Sequence, residues 1–396
     1  MKNNFKCVMC NGSLQGNDLN SFVCDTCGRQ YPIINNIPIL IARHNPALLS
    51  IGRYMEDQLT QLNNLKASLS KLDRVNHSDI DVDRMLEGMQ GNLYLMEQHC
   101  KPISDYLNNQ KFKFGDIDWF FSMDPGRSFH YMLRYFYQDW YGTTQFNQVK
   151  NVVTDAISTY CDDDETLAVL GSGACGLLYY LANNFTVSYG VDLAIPTLMT
   201  AQQFLNDEDI TVYLEAAEWK EIHLKAPKKT MGQIKLLASN VMRLPFGDSS
   251  ISTIVTQYMM DLESNHPYYL TNEIHRVLKP GGIWINFSIP FRVPGDVYEL
   301  GPIAIDKLPT LFKPFGFELL CSQQQRFKPW NFEAVTGTGD RPDHEVHFYV
   351  AKKVSPSKYQ KIYMPFIDYF SNKNNELWNC TPVIVEGRTL AVVNKT

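Results

Sequence analysis

Nowhere in the 396 residues do about eighteen apolar side chains follow one another, the length a helix needs to cross a bilayer. The opening stretch "MKNNFKCVMCNG" has none of the apolar core that marks a secretory signal. Both absences lead to the expectation of a cytoplasmic protein without a membrane partner. An excess of positive charge is missing too. The formal net charge of -6 argues against a general role on nucleic acid, because phosphate recognition calls for a basic surface. Internal repeats and low-complexity tracts are also lacking, which removes solenoids and biased tails from consideration. What remains has 44% hydrophobic and 20% charged residues, the balance of a soluble globular chain, and is long enough for two or three domains.

Nine cysteines in a reducing compartment do not make a disulfide framework, so a cluster of them needs another reason. Cys7 and Cys10 form one C-x2-C pair, thirteen residues intervene, and Cys24 and Cys27 form a second. Each pair can bend a tight knuckle around one ion, so that four thiolates converge in the tetrahedron zinc prefers. Four protein ligands leave no position for water, which makes the expected zinc structural and not catalytic. Short strands around the pairs, with a glycine after Cys27, read as a zinc ribbon over residues 1–44. Such ribbons resemble the small zinc-binding domains attached to or partnered with several methyltransferases, some of which contact RNA. Here Lys2, Lys6, Arg29 and Arg43 against Asp18 and Asp25 leave only about +2, too little to favour RNA over packing. Cys100, Cys161, Cys175, Cys321 and Cys380 are scattered, and read as small buried residues or incidental thiols.

Residues 45–160 follow a helical pattern. Leu59, Leu62, Leu65, Leu69 and Leu72 recur at three and four residues and are expected to form a core-facing stripe. The aromatic-rich stretch 118–146 reads as a core helix, or as a lid that keeps water from a reacting centre.

"AVLGSGACGLL" follows. Gly171, Gly173 and Gly176 have the G-x-G-x-x-G spacing between a strand and a helix, a turn able to hold a nucleotide cofactor. Asp192, nineteen residues after Gly173, ends the next strand, where an acid accepts hydrogen bonds from ribose hydroxyls. To this point NAD and S-adenosylmethionine are both admissible.

"ASNVMRLPFGDSSISTIVTQYMMD" and "LTNEIHRVLKPGGIWINFSI" resemble the second half of class I methyltransferases. Pro280 stops a helix there, and Gly281 and Gly282 supply the reversal into a strand. The resemblance implies S-adenosylmethionine as the cofactor, with Asn240 at the adenine-contacting position, Val241 and Tyr258 as further cofactor-binding candidates, and Asp261 where the fourth strand should end. In this chain an amide stands at 240 where an aspartate is usual, and Cys175 stands where the short motif has its third glycine. The implied fold is an α/β Rossmann-like sheet, mostly parallel with an antiparallel last hairpin made by "GFELLCSQQQ" and "EVHFYVAKK". It would span residues 161–354, followed by an extension over 355–396.

"VTQYMMDLESNHPYYL" with "WINFSIPF" is similar, more narrowly, to the carnosine N-methyltransferase family, through Asp261, Asn265, Tyr269 and Trp284 to Asn286. "QDWYGTTQF" extends the likeness upstream, with Gln138 where that family has arginine, so that it covers about residues 130–352. After "WINFSIP" the chain has "FRVPG" in place of that family's Tyr-His pair, so carnosine itself is not the expected acceptor. The likeness implies methylation at nitrogen, on an amine or imidazole of a small molecule, amino acid or peptide. Asp261 would orient the acceptor, with Asn265, His266 and Tyr269 as further candidates. "HEVH" reads as strand, and residues three apart on a strand face opposite sides, so His344 and His347 are not a metal pair. An rRNA or tRNA methyltransferase gripping RNA through the ribbon, and a non-catalytic methyltransferase-like partner protein, are the alternatives.

Overall fold

The computed structural model describes residues 5–17, 20–42, 44–69, 81–109, 125–162, 164–214, 219–261, 267–293, 300–327, 344–359, 379–385 and 388–394. Strand β5 (Thr166–Leu170) shows why the centre forms as it does. Its sequence TLAVL is apolar at almost every position and buried, the signature of a strand covered on both faces. β10 (Ile251–Gln257) is buried along six of its seven residues for the same reason. Around them lie β6 (Val187–Asp192), β9 (Gln233–Ser239), β11 (Leu278–Ser288), β14 (Phe317–Phe327) and β15 (His344–Lys353), in the order β9-β6-β5-β10-β11-β15-β14. β9, β6, β5, β10 and β11 run parallel, whereas β15 is antiparallel to β11 and β14 antiparallel to β15. The expected parallel sheet with an antiparallel last hairpin is what folds.

Alternation along the strands sorts two cores. Leu167, Val169, Ile283, Ile285, Phe348 and Val350 face one, and Ala168, Leu170, Trp284, Tyr349 and Ala351 face the other. The first is covered by α2 (Val82–Asn108), α3 (Pro125–Trp140), α4 (Thr144–Tyr160), α5 (Gly176–Ala182), α6 (Ile195–Leu205) and the N-terminal half of α1 (His44–Leu69). The second is covered by α7 (Pro267–Val277), α8 (Leu308–Phe312) and residues of the N-terminal strands. Pro280 to Gly282 do not form a separate turn as expected. They bulge within β11, opposite a one-residue gap in β10, and Gly281 takes the left-handed conformation with φ +78° that the bulge requires.

The cysteine segment does not stand apart. β1 (Leu14–Asn17), β2 (Ser21–Cys24), β3 (Gln30–Ile34) and β4 (Ile37–Leu40) make an antiparallel meander, and β4 then pairs parallel with β9, giving one eleven-stranded sheet. A hairpin that the sequence pattern did not reveal, β7 (Ile210–Leu214) with β8 (Lys220–Leu224), packs on α2. There Asn92 reads β7 like a neighbouring strand, accepting from the Tyr213 amide at 2.9 Å and donating to its carbonyl at 2.7 Å. β12 (Arg292–Val293) pairs with β13 (Leu300–Pro302), and β16 (Asn379–Val385) pairs with β17 (Arg388–Asn394) in the C-terminal extension.

The leucine stripe of α1 needs correction. Leu62 is 4% exposed but Leu59 is 44% exposed, so the stripe is not buried along its length, while Ala47, Leu48 and Ile51 at the start of α1 join the first core. Leu69 and Leu72 lie outside the residues whose side chains are described. Among the described residues no helix is long and apolar enough to cross a membrane.

Candidate functional site

β5 ends at Leu170, and the chain must then reverse into α5 within five residues. Gly171 and Gly173 take left-handed φ of +72° and +49°, and Cys175 takes +65°, a conformation glycine adopts without the steric penalty a side chain incurs. Cys175 therefore occupies a glycine-like position with a buried side chain. At Gly171 a side chain would collide with the sulfur of Met259. Asp192, at the end of β6, ties the turn down: one carboxylate oxygen accepts from the Gly173 amide and the other from the Ala194 amide, both at 2.8 Å. Burial raises its pKa above the usual carboxylate range despite these bonds. Each oxygen keeps a second lone pair, so ribose hydroxyls can still be accepted there.

The C-terminal end of α3 grips the same turn from outside. Trp140 Nε1 donates to the Ala174 carbonyl at 2.9 Å, and Asp139 Oδ2 accepts from the Gly176 amide at 3.1 Å. Asp139 is 8% exposed, and burial pushes its pKa up to about 7. The spacing of the glycines gave no hint of this residue, since its role comes from a contact across 37 positions. The aromatic stretch thus contributes a helix beside the turn; residues 118–124 and the side chains of 125–131 lie outside the described part.

Beyond β9, Asn240 Oδ1 accepts from the Met242 amide at 2.8 Å, closing a side-chain turn, and Arg243 N donates to its carbonyl at 3.0 Å. Val241 beside it is buried. Past β10, Tyr258 has a left-handed φ of +51° and donates its amide to the Phe287 carbonyl at 2.8 Å. Asp261 follows. Its Oδ1 is buried without a hydrogen-bond partner, and burial lifts its carboxyl to about 6. Gln257 Nε2 and both ring nitrogens of His347 are likewise buried without a hydrogen-bond partner, His347 Nε2 making only a long contact of 3.6 Å with the Glu345 carboxylate. Register pairs His347 with Ser288 at the end of β11. β15 does run as a strand through 344–347, as the rejection of a metal pair required. Tyr269 is in α7, buried in the second core, while Asn265 and His266 lie outside the described residues.

At the opposite flank the Sγ atoms of Cys7, Cys10, Cys24 and Cys27 all lie within 4.8 Å of one another. Cys7 and Cys27 approach to 3.7 Å, Cys10 and Cys24 to 3.4 Å, and the Met9 amide and Tyr31 hydroxyl point at Cys7 Sγ. Four convergent sulfurs from two knuckles are compatible with zinc. Gly28, at φ +69°, supplies the turn after Cys27.

A family model described as a methyltransferase domain matches residues 168–286. Among solved structures, the chain is similar to an S-adenosylmethionine-dependent methyltransferase from Methanosarcina mazei, at 16% identity, with 50% of this chain and 96% of that one covered and a TM-score of 0.36. It is also similar to a putative methyltransferase from Bacillus halodurans, at 13% identity over 52% and 100% of the two chains with a TM-score of 0.37. A third is a putative sarcosine dimethylglycine methyltransferase from Galdieria sulphuraria, at 11% identity over 57% and 98% with a TM-score of 0.41. No curated protein matches the chain by sequence. The family match begins in β5 and runs through the glycine turn to β11, and on that ground the chain carries a class I S-adenosylmethionine-dependent methyltransferase domain.

Proposed function

We propose that the enzyme methylates a nitrogen of a small molecule, amino acid or peptide, with Asp261 as the catalytic residue that holds the acceptor. The residues at the carboxyl ends of the strands fit the cofactor by their chemistry. Asp192 offers lone pairs to a diol, Asn240 has its Nδ2 to donate to a ring nitrogen once its oxygen is used in the turn, and Gly173 leaves its side of the turn open, the atom nearest to a side chain placed there being Met132 Cε at 3.5 Å. Val241 and Tyr258 would flank it. When bound, S-adenosylmethionine supplies a methyl group made electrophilic by its sulfonium.

The chain's own task is then to present a neutral lone pair in line with that methyl and to receive charge as the nitrogen becomes cationic. Asp261 can accept an N–H of the acceptor, which fixes the direction of the lone pair and stabilises the developing positive charge. A carboxylate with a buried, unpartnered oxygen at the end of β10 is the observation that carries this reading. Tyr269 and, outside the described residues, Asn265 and His266 are proposed as the surrounding acceptor contacts. The ribbon's role is proposed to be structural, since β4 is spent on pairing with β9.

Asp261→Asn is expected to leave the affinity for S-adenosylhomocysteine within about twofold while turnover falls at least about a hundredfold. The acceptor class comes from labelled cofactor incubated with fractionated metabolites, peptides and RNA. Label entering RNA alone would replace this reading by the RNA methyltransferase, and no binding of either cofactor form would leave the non-catalytic partner.

A further inference from the structure

The amino ends of the central strands, opposite the glycine turn, border a cleft. β5 begins there at Thr166 and runs five residues to the turn, so about 16 Å of strand separates the two places. The cleft has a volume of about 970 Å³, within the range of small-ligand sites. One wall is the cysteine segment, with Lys6, Ser13 and Gly16; the other is the catalytic domain, with Glu165, Asp248 and Lys279.

The two walls differ in charge. Lys279 pairs with Glu165, and Asp248 meets Arg276 through Oδ1 alone, at 2.8 Å, with both carboxylates well exposed. Lys6 has no acidic partner: among the described residues its Nζ donates only to Ser13 Oγ, at 3.0 Å. Ser13 accepts that bond and keeps its own hydroxyl proton to donate. The cysteine segment thus offers a spare ammonium and a hydroxyl, and the facing wall two carboxylates. A strand edge adds to the first wall, since β1 is the last strand of the eleven-stranded sheet. The Ser13 carbonyl is turned towards β2, accepting from the Asp25 amide, whereas the Leu14 amide is turned away from it and donates to the Phe5 carbonyl. Alternation therefore turns the amide and carbonyl of Gly16 to the outer edge. Among the described residues no strand pairs with β1 there, and a side chain at Gly16 would meet nothing within 4 Å.

We propose that this cleft binds a short peptide with free ends, its carboxylate on Lys6 and Ser13, a peptide group on the outer edge at Gly16, and its ammonium on the carboxylates of Asp248 and Glu165. Peptide amides complete an open strand edge as a neighbouring strand would, and the two walls complement the opposite ends of one zwitterion. A peptide held here is not the methyl acceptor, because Asp261 and the glycine turn lie at the other ends of β10 and β5.

Equilibrium dialysis of the full chain against a library of tripeptides with free ends tests this. Some members should be retained with Kd below about 1 mM, and acetylating the amine or amidating the carboxylate of those members should weaken binding at least about tenfold on the wild-type protein. Lys6→Gln should weaken the retained peptides at least about tenfold as well, and Asp248→Asn should weaken them while leaving their N-acetylated forms unchanged. Retention of no tripeptide, or equal binding of free and capped forms, overturns the proposal. Unchanged binding by Lys6→Gln also overturns it, since the peptide then sits elsewhere, the acceptor pocket included. The capping comparison needs the wild type alone and decides the matter even if a variant does not fold.

Discussion

At the scale of single residues the buried position of Asp261 sets two requirements against each other. For its proposed role Asp261 must be ionised to balance the charge that develops on the acceptor, yet burial holds its carboxyl at about 6, so ionising it costs folding free energy. The folded state keeps this proton to higher pH than the unfolded one. The stability lost is therefore absent in acid and is fully lost once the pH has risen through about 6. Asp261→Asn should consequently raise stability at pH 8 by about 1–3 kcal/mol, and the gain should vanish near pH 4. Activity should move oppositely, with the wild-type rate falling as the pH drops below about 6 and the variant's residual rate lacking that limb. Paired denaturant titrations and pH–rate profiles check both signs; a variant less stable at pH 8 than at pH 4, relative to wild type, would contradict the burial account. Asp261 and Asp192 could be found in the sequence because strand ends and glycine spacing locate them. Asp139 could not, because nothing in "FYQDWYG" says which turn that helix will meet.

At the scale of elements, periodicity located the helices and misjudged how deep one of them lies. Leu59 and Leu62 are three apart in the same stripe, yet Leu62 is buried and Leu59 is 44% exposed, although Leu62 lies further from the core-facing start of α1. Sequence spacing gives the face of a helix and cannot say which positions on that face a neighbour covers. Leu62→Ala is expected to cost about 2–4 kcal/mol, the price of a core cavity, and Leu59→Ala less than about 0.5 kcal/mol. Equal losses in thermal or denaturant unfolding would restore the full stripe. The β7–β8 hairpin escaped notice for a related reason. Its strands are only five residues each, and although β7 alternates between buried and half-buried positions, the hairpin's cover comes from α2 and α3, with Asn92 of α2 completing the ladder. The glycine turn, by contrast, carries its conformation in its own residues and needs no partner to be recognised.

At the scale of the whole molecule, the cysteine pairs and the methyltransferase pattern are each legible alone, but their union is not. The sequence marks a ribbon up to about residue 44 and gives no sign that its last strand will extend the catalytic sheet. The junction is specific: Ser239 Oγ donates to the Leu40 carbonyl at 3.0 Å, Arg243 Nη2 donates to the Met9 carbonyl at 2.6 Å, and the Lys6 amide donates to the Pro245 carbonyl at 2.9 Å. Phe5 bridges to Phe246 and packs on it at 6.1 Å. Met9 belongs to the first cysteine knuckle, and residues 240–246 form the loop that carries Asn240. A knuckle whose cysteines are compatible with zinc therefore holds the loop proposed to meet the adenine. Structural zinc contributes directly to folding, so stripping it should release Met9 and Lys6 from that loop. Chelation is expected to lower the unfolding temperature and, below that temperature, to weaken S-adenosylhomocysteine binding by about tenfold or more, with recovery on adding zinc back. Arg243→Ala, which leaves all four cysteines in place, should weaken the same binding with metal content equal to that of the wild type. Metal analysis and calorimetry on the same samples distinguish this from a ribbon that folds on its own account, for which chelation would lower thermal stability and leave cofactor affinity where it was.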